Sequence, residues 1–503
     1  MSECTDVVIV GAGPAGLLLA GDLAAAGVSC AVLERRGSES NLTRAFAVHA
    51  RTLELLDARG VADELIATGS TVDSLQFFDG ISVDLSVLPT RFPFLLITPQ
   101  YHTERLLEDR ARQLGVEMVR GATAVAVRQD PDGAEVDVRA ENGTVTTRRA
   151  GYLVGADGMH SAVRRALGLR FPGHSAVQSV MLADVRMREA PTEVLVVGAV
   201  AAGFAFIVSF GDGWHRVIAW DRRRQLPDSA PVELDEIRRI TGQALGSDYG
   251  MHDPRWMSRF HSDERQVTRY RTGRVFLAGD AAHVHSPAGG QGMNAGLQDA
   301  ANLGWKLAAA IHGQAPPGLL DTYHTERHPV GAAVLRGSGT LLRAAKLHSP
   351  LLRNGRRLVG SSLTRIAPVN RRIAGAASGI DIAYPASRSA HPRVGTRAPD
   401  SPLAGTDRLY ETLRGERFVL LSPRRNDLDE WTGRVDHATP ADDPSSDTLI
   451  RPDGYVAWTS DQADPTRRTT LRAALTAWCA TPPNRAVAER HERDSLRERD
   501  RGR

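Results

Sequence analysis

The sequence predicts a fold of the α/β (α+β) class: a domain of parallel strands and helices, an antiparallel sheet inserted into it, and a smaller C-terminal unit. Residues Asp6 to Val10 form a short apolar, β-branched run that leads through glycines into an Ala/Leu-rich helix, as in a βαβ unit. From about residue 172 the pattern alternates instead, and segments 204–210 and 215–220 are joined by a glycine turn, as in a hairpin. Segment 393–402 resembles a linker into the last unit.

Length and charge narrow the class of protein. A chain of 503 residues exceeds what one core serves, so two or three domains are expected. Lys and Arg total 62 against 59 for Asp and Glu, and aromatics make up 5%, which argues against a nucleic-acid-binding surface. No run approaches the roughly 18 apolar residues of a membrane span, and no signal-peptide pattern is present. We therefore expect no nucleic-acid or membrane partner and a cytoplasmic location.

The cysteines support a reducing compartment. Cys4, Cys30 and Cys479 are odd in number and lack CxxC spacing, which excludes a disulfide scaffold and a dithiol redox centre.

The first motif is a glycine fingerprint. After the strand come Gly11, Gly13, Pro14, Ala15 and Gly16, then a helix from 17 to 26, and a second strand, 29–33, that closes with Glu34. The glycines permit a tight turn and close approach of a pyrophosphate, the helix N-terminus supplies N–H groups, and the acid suits a ribose. This frame predicts a Rossmann-type dinucleotide-binding domain. A merely tight βα turn would not explain the acid.

Later segments favour FAD over NAD. A buried strand, 275–278, ends in Gly279 and Asp280, a placement suited to gripping a ribityl hydroxyl. Pro287, Gly289, Gly290, Gly292, Met293 and Asn294 then lead into a long helix, and this glycine-rich start can lie against a flat ring. A helix N-terminus also stabilises the negative charge of a reduced flavin.

These motifs together resemble the group A FAD-dependent aromatic monooxygenases, the para-hydroxybenzoate hydroxylase superfamily. The resemblance rests on GAGPAG with Glu34, on Gly155-Ala-Asp157-Gly158 through Arg164, and on GDAAHVHSPAGGQGMN from Gly279 to Asn294. Within that superfamily the chain is similar to the actinomycete aromatic polyketide hydroxylases and, further off, to rifampicin monooxygenase.

The resemblance implies further residues at the cofactor. Asp157 would serve FAD and NADPH, Arg44 would contact the flavin, and Gln100 would lie near the pyrophosphate and ribityl chain. Arg35 adjoins Glu34 in the same cofactor set, and Pro287 would lie near the flavin hydroperoxide. No side chain is expected to act as an acid, base or nucleophile, because the flavin carries the chemistry.

The resemblance also implies a domain layout. A discontinuous FAD-binding domain is expected from residues 1–71, 101–171 and 270–332, and a substrate domain with helices from 72–100, 172–269 and 333–390. Residues 391–482 resemble a thioredoxin-like domain with a structural or oligomerisation role, since Cys479 has no resolving partner. The tail, 483–503, is charged and expected to be disordered.

The implied activity is insertion of one oxygen atom from O2 into a polycyclic aromatic polyketide through the flavin C4a-hydroperoxide. The reductant would be NADPH, with NADH as the alternative, and the biological role would be antibiotic or secondary-metabolite biosynthesis. Antibiotic inactivation of the rifampicin or tetracycline type, Baeyer–Villiger chemistry and epoxidation stay open, as does a homodimer. A flavin-binding scaffold without turnover is disfavoured by the intact Gly-Asp and glycine-rich segments.

Two patterns have more than one interpretation. His283-x-His285 could suggest a metal pair, but no partner cluster has ligand spacing, so we predict no metal and a structural or flavin-adjacent role. Phe204, Phe206 and Trp220 could face an aromatic substrate or could be ordinary sheet core, since they alternate along strands.

Overall fold

The computed structural model describes residues 5–38, 45–76, 81–286, 289–345, 364–405, 407–424, 426, 428–442 and 445–480. In the first part the strands are β1 (Thr5–Val10), β2 (Cys30–Glu34), β3 (Ala47–Val48), β4 (Ser70–Val72), β5 (Ser74–Gln76), β6 (Ser82–Asp84), β7 (Leu95–Ile97), β8 (Glu117–Arg120), β9 (Thr123–Gln129), β10 (Ala134–Arg139) and β11 (Val145–Gly155). They continue with β12 (Gly173–Met187), β13 (Leu195–Val200), β14 (Gly203–Ser209), β15 (His215–Asp221), β16 (Met251–Gln266), β17 (Arg271–Thr272), β18 (Val275–Leu277), β19 (His283–Val284), β20 (Phe418–Leu421), β21 (Val435–Ala438), β22 (Ser446–Ile450) and β23 (Val456–Asp461). The α-helices are α1 (Pro14–Ala25), α2 (Ala50–Asp57), α3 (Ala62–Ile66), α4 (Gln100–Gln113), α5 (Ala162–Ala166), α6 (Leu234–Leu245), α7 (Gln291–Ile311), α8 (Thr322–Ala345), α9 (Ala367–Ser378), α10 (Leu409–Thr412) and α11 (Arg467–Cys479).

The largest sheet is built around β1. Its strand order is β17-β18-β11-β1-β2-β8, and β1 pairs in parallel with both β2 and β11. Val7, Val8 and Ile9 are buried in the main hydrophobic core, which includes residues of α1, α7 and β10, and this is why the strand is a continuous apolar run. Since parallel strands end at the same edge, the residues that follow β1, β2, β11 and β18 meet there.

The inserted sheet has the order β13-β14-β15-β12-β16-β19 and is antiparallel. One face packs its small apolar residues, Ala183 and Val217 among them, against Ile237 and Ile240 of α6. The opposite face carries Phe204 and Trp220. Short β19 joins this sheet to the segment that leads into α7, so the inserted sheet and α7 are connected through one short strand.

Two small sheets and α9 close the space between these layers. The orders are β3-β7-β4 and β5-β6. Asn370 of α9 accepts the Asp84 N–H at 3.0 Å and donates to the Asp84 carbonyl oxygen at 2.9 Å, which fixes α9 against β6.

The C-terminal unit has a sheet of order β21-β20-β22-β23, in which only β20 and β21 are parallel. A parallel pair, an antiparallel hairpin and a closing helix, α11, give the thioredoxin-like arrangement. Cys479 is buried, and burial raises the pKa of its thiol to about 12, so it is unsuited to thiolate chemistry. The apolar core of the C-terminal unit includes Trp305 of α7 and Leu319, so this unit shares a core with the first domain.

Several elements go beyond the strands and helices predicted from the sequence. Residues 117–129 form two strands, β8 and β9, with Gly121 between them at a φ of +66°. The central strand β11 is 11 residues long. The long strands β12 and β16 and the helix α6 were not predicted individually. The domain boundaries stay a prediction, and the tail, 483–503, lies outside the described residues. Within the ranges given above, no helix is long and apolar enough to cross a membrane.

Candidate cofactor and substrate site

The predicted cofactor residues meet at the carboxyl edge of the large sheet. Register places Val10 beside both Leu33 and Gly155, and Gly155 beside Leu277. The turns that follow these residues carry the glycine fingerprint, Glu34, Asp157 and the Gly279-Asp280 pair. Four separate segments of the sequence therefore form one concave edge.

The glycine fingerprint has a different constraint at each glycine. Gly11 has a φ of +109°, and a Cβ there would clash with the Ala156 carbonyl. A Cβ on Gly16 would overlap the Gly11 carbonyl oxygen, so this glycine permits helix–strand packing. Gly13 has a negative φ and nothing within 4 Å of a built Cβ. Gly13 therefore leaves open space before α1, which begins at Pro14 and is followed by Ala15 in its first turn.

Glu34 is held at the base of this edge. One carboxylate oxygen accepts the Ala12 N–H at 2.9 Å, and the other accepts the N–H and Nε–H of Arg36 at 2.9 and 3.1 Å. Arg35 is exposed, and the arginine that contacts Glu34 is Arg36. Arg35 stays a predicted cofactor contact, and Arg36 was not predicted, because the run Glu34-Arg-Arg does not reveal which arginine turns inward.

Gln100 connects α4 to the segment before α2. Its Oε1 accepts the Ala45 N–H at 3.3 Å, and its Nε2 donates to Glu104 at 2.7 Å. Burial raises the pKa of Glu104, which the sequence analysis did not single out. Arg44, the residue before Ala45, lies outside the described residues.

Asp157 closes the turn after β11. One of its oxygens accepts the N–H groups of Ala162 and Val163 at 2.6 and 3.2 Å, which caps α5. The other, Oδ1, is buried and has no hydrogen-bond partner among the described residues. Arg164 donates to the carbonyl oxygens of Met159 at 2.7 Å and Ala281 at 3.0 Å, so it joins this turn to the one after β18.

The turn after β18 is fixed from behind. The Gly279 N–H donates to Asp299 of α7 at 3.1 Å, and Asp299 also binds His283 and Arg327, each at 2.7 Å. Burial alone would raise the pKa of Asp299, but the charges of Arg327 and His283 hold it below its ordinary value. Asp280 is exposed at the same edge.

His283 therefore has a structural partner, and His285 is half-buried beside α7. The His285 ring lies 3.5 Å from a Cβ built on Gly292, and burial lowers its pKa to about 4. Across the described residues, no cluster of three or more His, Cys, Asp or Glu side chains could hold a metal ion.

The glycine-rich loop before α7 rests on Asn294. Gly290 has a φ of +63° and begins the helix, while Gly292 and Met293 are partly exposed at its first turn. Asn294 itself is 0% exposed and donates to the carbonyl oxygens of Ala47 and Gly290 at 2.9 and 2.7 Å. It thus supports the loop from beneath with both N–H groups of its amide, and its place along the ring stays a prediction.

His49 completes this support. Its Nε2 lies 2.9 Å from the carbonyl oxygen of Gly289, and burial lowers its pKa to about 4, so the ring is neutral at physiological pH. The sequence analysis missed His49, whose position just before α2 gives no signal of its own. Pro287 lies outside the described residues.

The aromatic candidates share one face of the inserted sheet. The rings of Phe204 and Trp220 stack with centroids 5.6 Å apart, and those of Phe204 and Phe206 with centroids 6.4 Å apart. Phe206 lies 6.3 Å from Phe46, which directly precedes Ala47 under the glycine-rich loop. The aromatic face of the inserted sheet is therefore directed toward the cofactor side of the molecule.

This geometry fits FAD. The space at Gly13, before the first turn of α1, is open, and Glu34 lies at the end of the second strand. At the same edge, Asp157 Oδ1 has no hydrogen-bond partner among the described residues. A second helix, α7, starts with glycines beside that edge, as a flavin ring requires. Fold and site together define an FAD-dependent oxidoreductase.

Residues 4–338 match the family described as FAD binding domain, and the chain belongs to that family. Residues 391–482 match the family described as aromatic-ring hydroxylase, C-terminal. The chain is 41% identical over 504 aligned residues to the 12-dehydrotetracycline 5-monooxygenase/anhydrotetracycline 6-monooxygenase of Streptomyces rimosus, covering 95% of this chain and 99% of that one. It is 39% identical to the rifampicin monooxygenase of Streptomyces venezuelae, covering 91% and 96% of the two chains. The crystal structure of CabE, an aromatic hydroxylase from angucycline biosynthesis, has a TM-score of 0.85 and 37% identity, covering 96% of this chain and 100% of that one. The chain is accordingly an FAD-dependent monooxygenase of this family.

Proposed function

We propose that this monooxygenase consumes NADPH and inserts one oxygen atom from O2 into a polycyclic aromatic polyketide, in the biosynthesis of a secondary metabolite. The observation that carries the substrate class is the aromatic face of the inserted sheet, directed toward the cofactor side through the contact between Phe46 and Phe206. Flat, fused rings bind well against such faces, because aromatic pairs favour offset stacking and bury large areas.

The proposed contacts with FAD follow the carboxyl edge of the large sheet. Glu34 would bind the adenosine ribose, and the start of α1 at Gly13 would receive the pyrophosphate. Asp280 would bind the ribityl chain. The loop from Gly289 to Met293 would lie along the flavin ring, with α7 directing its positive end toward it.

The protein's part in the reaction is positional. Bound FAD, after reduction by a transiently bound nicotinamide, supplies the activation of O2. The aromatic face orients the ring to be oxidised, and the layers around it keep water away from the reacting atoms. NADPH is proposed over NADH from the family resemblance, and a cytoplasmic location is compatible with the buried, unpaired Cys30 and Cys479. A homodimer stays a prediction.

A second biological role has support of similar strength. The rifampicin monooxygenase relative, at 39% identity, is almost as similar as the tetracycline relative at 41%. Inactivation of an antibiotic uses the same oxygen insertion, and Baeyer–Villiger or epoxidation products would also fit the site.

The test combines cofactor analysis with turnover. The purified protein should be yellow and release FAD, and its NADPH consumption should rise with polycyclic polyketides such as anhydrotetracycline. Under 18O2 the product should gain a single labelled oxygen atom. A rise with a rifamycin alone would favour inactivation, whereas a flavin-loaded protein that oxidises none of the panel contradicts the proposed substrate class.

The Asp280→Ala variant tests the cofactor assignment. It should lower flavin occupancy in the purified protein, because the ribityl contact is lost. Asp132→Ala changes an exposed aspartate in the turn before β10 and is the matched control. Full occupancy and normal turnover of the Asp280 variant would remove Asp280 from the site.

A further inference from the structure

One turn of the C-terminal unit contacts both α2 and α7, the two helices that begin next to the glycine-rich loop. This turn, residues 451–455, joins β22 to β23 and contains Arg451, Asp453 and Gly454. It contacts α2 on one side and α7 on the other. We call it the 451–455 turn.

On the α7 side, the turn enters a sealed polar cluster. Asn302 donates to Asp453 at 3.2 Å and to Glu326 of α8 at 2.7 Å, and Lys306 donates to Glu326 at 2.7 Å. Arg451 binds both oxygens of Glu326, at 2.7 and 3.0 Å, and its Nε donates to Asp453 at 2.9 Å. Lys306 and Asn302 are 0% exposed, and Arg451 and Asp453 are each 2% exposed. Water therefore cannot replace a hydrogen-bond partner that one of these groups loses.

The charges of this cluster balance. Lys306 and Arg451 are cations, and Glu326 and Asp453 are anions. Glu326 pairs with both cations, and Arg451 also pairs with Asp453. Buried charges tolerate the loss of a partner poorly, because an unpaired ion is then left in a low dielectric. The position of the turn against α7 is therefore strongly specified.

On the α2 side, the turn holds Arg51. This guanidinium donates to the Asp453 carbonyl oxygen at 2.6 Å and to the Tyr410 hydroxyl at 2.9 Å, and it is 1% exposed. Gly454 has a φ of +76°, and a Cβ there would lie 3.2 Å from Arg51 Nη2, so the turn fits closely over the arginine.

Arg51 lies two residues after His49, and Asn302 lies two turns along the helix from Asn294. His49 and Asn294 are the residues that bind each other under the glycine-rich loop, at 2.9 Å. A single turn of another unit thus joins the first turn of α2 to the middle of α7.

We propose that the C-terminal unit is a positioning element for the flavin site, and that its 451–455 turn fixes α2 and α7 relative to each other. This inference rests on the proposed FAD site and goes beyond it, because it assigns a role in cofactor binding to residues that do not touch the cofactor. Asp453, Arg451, Asn302 and Lys306 are positioning residues in this scheme.

The experiment uses the full-length holoprotein and its Asp453→Asn variant. Removing this charge should weaken FAD binding about tenfold and shift the visible absorption bands of the bound flavin, with unchanged far-ultraviolet circular dichroism. The double variant Lys306→Met/Asp453→Asn leaves Arg451 and Glu326 balanced, and should recover most of the affinity and the wild-type spectrum.

The control is Asp447→Asn. Asp447 is equally buried and forms an ion pair with Arg467 inside the same C-terminal unit, and among the described residues no hydrogen bond or ion pair joins its side chain to α2 or α7. It should lower the melting temperature without changing flavin affinity or spectrum. If Asp453→Asn proves unstable, Gly454→Ala disturbs the contact with Arg51 while keeping every charge, and should weaken FAD binding in the same direction.

The proposal is overturned if the folded Asp453 and Gly454 variants bind FAD with wild-type affinity and spectrum. It is also overturned if Asp447→Asn weakens binding as much as Asp453→Asn, since loss of binding would then follow only from general destabilisation. Failure of the wild-type protein to bind FAD would instead refute the proposed function itself.

Discussion

The side chain of Asn294 accepts the backbone N–H of His49 at 2.9 Å, while its own amide donates to the carbonyl oxygen of Ala47 at 2.9 Å. One side chain thus joins the first turn of α7 to the strand and helix start on either side of His49. The imidazole of His49 reaches back to Gly289 at 2.9 Å. The glycine-rich loop is therefore supported by two buried residues that are 245 positions apart in the chain.

Asn294→Ala should destabilise the protein and loosen FAD. The substitution leaves the N–H of His49 and the carbonyl oxygens of Ala47 and Gly290 without their partner, at a position that is 0% exposed. An unsatisfied buried group costs about 1–3 kcal/mol, so a loss of roughly 2–4 kcal/mol in the free energy of unfolding is expected. Denaturant unfolding and bound-flavin absorbance measure the two effects. Asn142→Ala, in an exposed turn, is the control.

Substitutions of Gly13 and Gly16 by alanine should separate folding from cofactor binding. A Cβ on Gly13 has nothing within 4 Å, so Gly13→Ala should fold normally yet lose FAD, because the methyl group occupies the space for the pyrophosphate. A Cβ on Gly16 overlaps the Gly11 carbonyl, so Gly16→Ala should lower the melting temperature. Normal FAD affinity in a folded Gly13→Ala protein would contradict the placement of the pyrophosphate.

Trp220→Ala decides between a substrate wall and ordinary sheet core. If Trp220 contacts the substrate, the KM for the polycyclic ring system should rise about tenfold with FAD retained, and Trp220→Phe should recover most of it. If it is only core, the free energy of unfolding should fall by roughly 3–5 kcal/mol and KM should stay the same. Steady-state kinetics and unfolding curves on the same preparations distinguish these outcomes. We expect the first.

Glu416 should make stability depend on pH. Burial, together with the nearby charge of Asp22, raises the pKa of Glu416 to about 8 in the folded protein, against an ordinary value of 4.5. Between these values the folded state holds a proton that the unfolded chain has released, so the contribution of this group to stability falls as pH rises from about 4.5 to about 8.

Glu416→Gln removes that titration. The free energy of unfolding of the variant relative to wild type should therefore increase steadily over this pH range. The exposed Glu189→Gln is a matched control for loss of one carboxylate. A constant difference between Glu416→Gln and wild type at every pH would show that Glu416 does not titrate there.

Sequence patterns predicted the parts of the site that depend on local backbone geometry. The turn at Gly11 to Gly16, the acid at Glu34 and the Gly279-Asp280 turn are each read from a few adjacent residues, because strand, turn and helix impose those residue types locally. The same patterns supported the family, which the comparisons confirm. The long strands β12 and β16 escaped individual prediction because bulges and buried charges, such as Asp184 paired with Arg216, interrupt their alternation.

The sequence by itself determined the class of this protein: its cofactor fingerprint, its parallel-sheet core and its inserted antiparallel sheet. Only the tertiary structure decided which arginine meets Glu34, that Asn294 lies beneath the loop, and that Asp453 of the last unit holds Arg51 and Asn302. The reason is physical. Glycine turns and apolar periodicity are constraints between near neighbours in the chain, whereas hydrogen bonds and buried ion pairs join residues that only the packing of separate elements brings together.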